Sequence, residues 1–419
     1  MKVLWITNGL LPEAKAHLSG ASVLKGSGGW IMAMAEELHK KPDVLLFLAA
    51  TTPLVKKLTI VQGEYITYYA IPYGKGDKKY NDDYEDLYRV INKEAKPDIV
   101  HIHGTEFPHS LAAIRVFGGE RTIVSLQGMI SGIESYYLGG IPRKTFLRNI
   151  TFRDLLRQNI FHEQRMIKRR SAYEVETLKI AKYIIGRTTW DRSHSWVINP
   201  AAFYFHCDEI LREEFYSGKW RYNYCKPHTI FASQGYYPLK GLHKLIAAMG
   251  IVVKHYPDAT LRVAGCDITY RNGSFLDKFR ISSYGKIVLK CIKKNYLDEQ
   301  VVFTGMLNAN EMKKEYLNCN VFVCPSSIEN SPNSLGEAQI LGVPSLASFV
   351  GGSPDMMSGG ENGLYRFEDV EELAYKICSI FAKEERVCTD LLYNKACHRH
   401  DKKSNSEKLI EIYRQVLVV

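Results

Sequence analysis

Glu329 and Glu337 lie in CPSSIENSPNSLGEAQILGVPSLASFVGGSPDMM (324–357), a stretch dense in groups that bind hydroxyls and anions. The apolar run ahead of it reads as a strand ending at Pro325. A polar loop follows from Ser326 to Asn333, and a helix opens near Ser334, with Asn333 or Ser334 placed to cap it. The free N–H groups of the first turn and the helix dipole suit a phosphate. Glu337, one turn in, can accept two hydroxyl hydrogen bonds at once, as a ribose diol offers. Glu329, in the loop, can accept from sugar hydroxyls. Each glutamate alone has an ordinary explanation: a solvated loop carboxylate, and an acid favoured in the first half of a helix.

The frame for these groups is legible along the chain. Its 419 residues, 46% hydrophobic and 24% charged, exceed what one core usually supports, so two domains are expected. Short apolar strands alternate with amphipathic helices in both halves. Strands are expected at Val3–Thr7, Val44–Ala50, Ile99–His103, Thr122–Leu126 and Tyr183–Gly186, with a hairpin or an edge pair over Thr59–Tyr69. The second half repeats the pattern at Thr229–Ser233, Leu261–Gly265, Val301–Gly305, Val321–Pro325 and Pro344–Ser348. This alternation predicts an α/β fold of two Rossmann-like doubly wound domains, with ligands at the carboxyl ends of the strands in the crevice facing both. The boundary is placed near Asn199-Pro200: domains over 1–199 and 200–404, with a helix over 405–419.

The pattern E-x7-E, then G-x-P, then G-G resembles the donor-site signature of retaining GT-B glycosyltransferases of family 4 (glycosyl transferases group 1). The matching residues are Glu329, Glu337, Gly342-Val343-Pro344 and Gly351-Gly352. The resemblance implies that Glu329 contacts the donor sugar, that Glu337 contacts the ribose, and that backbone N–H groups of Asn333, Ser334 and Leu335 hold the diphosphate. FASQGYYPLKGLHKLIAAMGIVVKHYPDATLRVAG resembles the opening of the family's donor domain. It puts Lys240 where a lysine neutralises the departing diphosphate, and Gly265 where a nucleotide approaches closely. Gly28-Gly29 fits the family's glycine-rich loop toward the donor phosphates, although a Gly pair is also a plain turn. In PDIVHIHGTEF, His103 ends a strand, and its family counterpart lies near the reacting sugar. His101, two residues earlier, reads as a buried, satisfied histidine. The implied activity is retaining transfer of a sugar from a UDP- or GDP-linked donor to a glycan or lipid-linked acceptor in polysaccharide or glycolipid assembly. The first domain would bind the acceptor and the second the donor, and the 405–419 helix would cross back to the first.

Two positions depart from the family. Gly235 stands where many members have an arginine, with Arg187 or Arg192 as stand-ins, and Gln127 stands where a histidine is common. No carboxylate is placed as a nucleophile for double displacement. The family's front-face route, in which the leaving phosphate helps deprotonate the acceptor, is therefore expected. No D-x-D ends a strand, so no metal and no other cofactor is expected to be required.

The charge is +10 and the pI near 8.9. Ile141–Arg170 holds nine Lys/Arg against two acids, with aromatic and aliphatic residues interleaved. It reads either as an amphipathic helix on an anionic membrane surface or as an ordinary helix with a basic solvated face. No recognition motif accompanies the charge, so nucleic acid is not an expected partner. The nine cysteines, none in a C-x-x-C, read as reduced thiols. With no spanning helix and no signal-peptide pattern, a cytoplasmic location is expected, peripheral to the inner face of the membrane if the basic segment binds it. Competing readings are a nucleotide-sugar epimerase, a glycoside hydrolase using the two glutamates, and a non-catalytic nucleotide-sugar binding protein. A Rossmann dehydrogenase is not expected, because no G-x-G-x-x-G follows the first strand.

Overall fold

The computed structural model describes residues 1–20, 29–73, 80–157, 159–274, 276–383 and 389–418, and of Trp30 only the backbone. The chain folds into two compact α/β units. The first comprises Met1–Glu134, Met166–Arg212 and Arg399–Val419, and the second Ser135–Arg165 and Glu213–His398.

The first unit is built on eight strands: β1 (Lys2–Thr7), β2 (Leu45–Thr52), β3 (Thr59–Gln62), β4 (Ile66–Pro72), β5 (Ile99–His103), β6 (Thr122–Ser125), β7 (Tyr183–Gly186) and β8 (Phe203–His206). Their order is β3-β4-β2-β1-β5-β6-β7-β8. Every pairing is parallel except the β3–β4 hairpin. The central strands read as unbroken apolar runs because helices cover both faces; in β1, Val3 to Ile6 are fully buried. The helix Lys402–Val418 belongs to this unit.

The second unit holds β9 (Thr229–Ala232), β10 (Thr260–Val263), β11 (Val301–Phe303), β12 (Val321–Cys324), β13 (Ser345–Ser348) and β14 (Leu364–Tyr365). The order is β11-β10-β9-β12-β13-β14, all parallel.

The division differs from a single cut at 199. β8 pairs with β7 residue for residue from Tyr183↔Phe203, so the first sheet continues past Asn199-Pro200. Residues 135–165 group with the second unit. The basic segment is not one helix: it forms the helices Arg143–Leu147 and Phe152–Leu156 and then the start of the long helix Ile160–Ile180. A capping box between Thr151 and Asp154 starts a new helix within it.

Candidate active site

In the second unit, two loops after neighbouring strands are locked together. Gly241, at φ +69°, lies so close to the β12 loop that an added Cβ would sit 1.7 Å from the Pro325 carbonyl oxygen. The Ser327 N–H donates to the Leu239 carbonyl at 2.7 Å. This clamp gives the Lys240-Gly241 pair its physical meaning: only glycine permits the approach that carries Lys240 to Glu329. The Lys240 Nζ donates to the Glu329 Oε1 at 2.5 Å, and the Ser326 hydroxyl donates to the same oxygen at 2.6 Å. Both members of the ion pair are close to nine-tenths buried. Burial alone would pull the lysine pKa down; the Glu329 carboxylate and Tyr237 outweigh it and hold it above the ordinary range, so the ammonium is charged at neutral pH. Burial and Glu329 push the Tyr237 phenol up to about 12 against the opposing pull of Lys240.

The glycine pair at 351–352 holds Glu329 from the other side. The Gly352 N–H donates to the Glu329 carbonyl at 3.0 Å, and a Cβ on Gly351 (φ +52°) would lie 1.9 Å from that oxygen. Gly351→Ala is therefore expected to lose at least about 1–2 kcal/mol of stability from the left-handed backbone alone and to displace Glu329. A thermal melt and a turnover assay check this, and both should fall.

The helix Asn333–Ile340 starts directly after Pro332, its N-cap residue, and no side chain caps it. The expectation that Asn333 or Ser334 caps the helix is thus corrected: proline fixes an extended φ of −68° and helix geometry begins at the next residue. The Leu335 N–H donates to the Pro332 carbonyl at 2.9 Å, which leaves the Asn333 and Ser334 N–H groups as the donors for an anion. Glu337 is 4% exposed, with the Tyr316 hydroxyl 3.4 Å from its Oε2. Gly342-Val343-Pro344 ends this helix: the Gly342 N–H reaches the Gln339 carbonyl and the Val343 N–H the Ala338 carbonyl. Gly265, just after β10, is paired through its backbone with Gly305, and the space on its Cβ side is open. At Gly235 a side chain would meet Leu242, at 2.6 Å from an added Cβ, so the position cannot carry the family's arginine without rearrangement.

The first unit supplies a different cluster. His103 and His101 lie with ring centroids 3.8 Å apart and planes tilted by 34°, and Trp5 packs on the edge of His103 at 4.6 Å. The Trp5 indole N–H donates to the Tyr413 hydroxyl at 2.9 Å. That hydroxyl lies 2.7 Å from the His101 Nδ1, and the Ser125 hydroxyl lies 2.6 Å from its Nε2, so both ring nitrogens have a hydrogen-bond partner in either tautomer. His101 is the satisfied core histidine its position suggests. Burial, His101 and Arg187 hold the His103 pKa well below the ordinary value, so it is neutral. His103, Gln127, Arg187 and Glu209 line one cavity. Arg187 is buried, ion-paired with Glu209 and bonded to the Leu126 carbonyl; Arg192 lies over the Tyr204 ring. Both arginines are engaged within the first unit. Gly28 lies outside the described residues. Gly29 opens the helix Gly29–His39 with φ +63°.

Among the described residues no group of three or more His, Cys, Asp or Glu is arranged to hold a metal, and no helix is long and apolar enough to cross a membrane.

Residues 226–383 match the family model described as Glycosyl transferases group 1. The GDP-mannose-dependent alpha-mannosyltransferase of Corynebacterium glutamicum is 36% identical over 72 residues, 16% of this chain and 17% of that protein. The chain thus matches less than a fifth of that relative's length. Among solved structures, sucrose-phosphate synthase from Thermosynechococcus elongatus superposes with a TM-score of 0.68 at 14% identity, over all of both chains. Anabaena HepE in complex with UDP superposes with a TM-score of 0.64 at 13% identity, over 99% of this chain and 100% of that one. The fold is that of the GT-B glycosyltransferases: two α/β domains, each on a largely parallel sheet.

Sequence reasoning named Lys240 and Glu329 with separate tasks and missed that they form one ion pair. It also missed Ser326 and Tyr237, which flank that pair.

Proposed function

We propose that this chain is a retaining glycosyltransferase, moving a sugar from a nucleoside diphosphate donor to a hydroxyl of a glycan or lipid-linked acceptor. The observation that carries the reading is the buried Lys240–Glu329 pair, in the same unit as an uncapped helix N-terminus that offers the Asn333 and Ser334 N–H groups. A diphosphate at that terminus meets two N–H donors, the helix dipole and a lysine held in its charged form. Charge grows on this diphosphate as the sugar leaves, so these groups act most strongly in the transition state. Glu329 accepts from hydroxyls of the sugar and Glu337 from those of the ribose. His103, neutral and buried in the first unit, is the counterpart of the group facing the reacting sugar. No carboxylate is assigned as nucleophile, which favours the front-face route, and the reading requires no metal and no further cofactor. Assembly of a polysaccharide or glycolipid on the cytoplasmic side of a membrane is the context that suits such an acceptor.

HepE was solved with UDP, and the Corynebacterium relative is GDP-mannose-dependent by name, so both bases belong in the test. A thermal-shift screen against UDP, GDP and their sugars identifies the donor: a ligand at a hundred times its Kd adds about 2.7 kcal/mol. NMR of the product made from that donor and a glycan acceptor should show the donor's anomeric configuration kept. An inverted product overturns the retaining assignment. Conversion of donor without acceptor favours an epimerase, and binding without transfer favours a nucleotide-sugar sensor.

A further inference from the structure

The second unit presents an apolar, basic surface that the donor site does not use. The short helix Phe152–Leu156 leaves Phe152, Leu155 and Leu156 exposed at 57, 73 and 70%. A separate segment supplies Leu276 and Phe279, exposed at 73 and 46%. The two segments meet, with the Phe152 and Phe279 rings edge to face at 5.9 Å. They are fixed rather than loosely apposed: the buried Asp154 carboxylate accepts from the Thr151 N–H at 3.2 Å and from the Ser283 N–H at 2.9 Å. The leucines are thus exposed on a pinned helix, where burial elsewhere in the fold does not absorb them.

The charge around this surface is one-sided. Residues 143–157 hold five cations, Arg143, Lys144, Arg148, Arg153 and Arg157, against one acid, Asp154, whose carboxylate is turned inward. Lys278 and Arg280 add to the second segment, where Asp277 is paired to Arg280 at 3.2 Å. Exposed leucine and phenylalanine in segments rich in arginine match a bilayer interface with anionic headgroups, in which the apolar side chains enter the acyl boundary and the arginines stay at the phosphates. A second copy of the same surface would be repelled by its own charge.

We infer that the surface formed by 143–157 and 276–280 docks the second unit onto an anionic lipid bilayer. The surface lies on a different side chain set from the donor site, so this stands independently of the donor chemistry. The test is flotation of the full chain with phosphatidylglycerol/phosphatidylcholine vesicles, with phosphatidylcholine vesicles alone, and at raised salt. The wild type should float with the mixed vesicles and far less with phosphatidylcholine or at high salt. Leu155→Ser/Leu156→Ser should lower its vesicle affinity by at least about tenfold, with the melting temperature and the donor-induced thermal shift retained. Sedimentation in the bottom fraction with mixed vesicles, or equal flotation of the double variant, overturns the proposal. Self-association of the wild type that the double variant abolishes, without flotation, overturns it in favour of a protein–protein interface.

Discussion

Lys240→Met is expected to lower turnover by about 10²–10³-fold, the usual effect of deleting one group that stabilises transition-state charge. It also leaves Glu329 buried beside an apolar stem, which costs about 3–5 kcal/mol of stability. A melt alone therefore cannot distinguish a structural lysine from a catalytic one. The double variant Lys240→Met/Glu329→Gln separates them. With both charges gone, the Ser326 hydroxyl can still donate to the amide oxygen, so most of the lost stability should return while turnover stays low. Recovery of turnover along with stability would show that the pair serves the fold and not the chemistry. Paired melts and donor-turnover assays on the wild type and the two variants decide this.

Acid is expected to unfold the first unit steeply. Burial holds His101 down to about 3 and His109 and His400 to about 4, and His103 lies well below its ordinary value through burial, His101 and Arg187. All four belong to the first unit. In the unfolded chain they titrate near 6.5, so below that pH the unfolded state binds protons that the folded state refuses. Their contribution is fully present above about pH 6.5 and is lost as pH falls toward about 4. Each group contributes up to about 1.4 kcal/mol per pH unit, and four together remove roughly 5 kcal/mol per unit, against a usual total of about 5–15 kcal/mol. Lys240 has the opposite sign: its raised pKa keeps its contribution intact at every pH below the ordinary lysine value. Urea midpoints between pH 8 and 4, followed by near-UV circular dichroism, should stay level to about 6.5 and then drop. A flat profile down to pH 4.5 would contradict the buried neutral cluster.

The fold was legible because central parallel strands are continuous apolar runs, such as VLWI at the chain start and VFVC before the donor loop. β8 was not: FYFH is an edge strand with none of its four residues buried, so it carries no such run and the domain boundary was set too early. The basic segment reads as one helix because apolar and basic residues recur through it, but Thr151 and Asp154 form a cap that the recurrence conceals. At the site, residue types were readable and partnership was not. Lys240 and Glu329 lie 89 positions apart, and only the approach of Gly241 to Pro325 brings them together. The helix start shows the same limit: Asn and Ser suit an N-cap by type, but Pro332 occupies that position.

The central claim is that the N–H groups opening the helix Asn333–Ile340 hold a nucleoside diphosphate. Asn333→Pro removes one of them at the first helical position, where proline's φ fits and its missing N–H breaks no helix bond. Calorimetric titration of UDP and GDP against the wild type and this variant is the direct measurement. The preferred nucleotide should bind the variant about 10–100-fold more weakly, the loss of one hydrogen bond to a charged group, with the ligand-free melting temperature unchanged. Equal affinity in the two proteins, or no binding of either nucleotide to the wild type, would contradict the account.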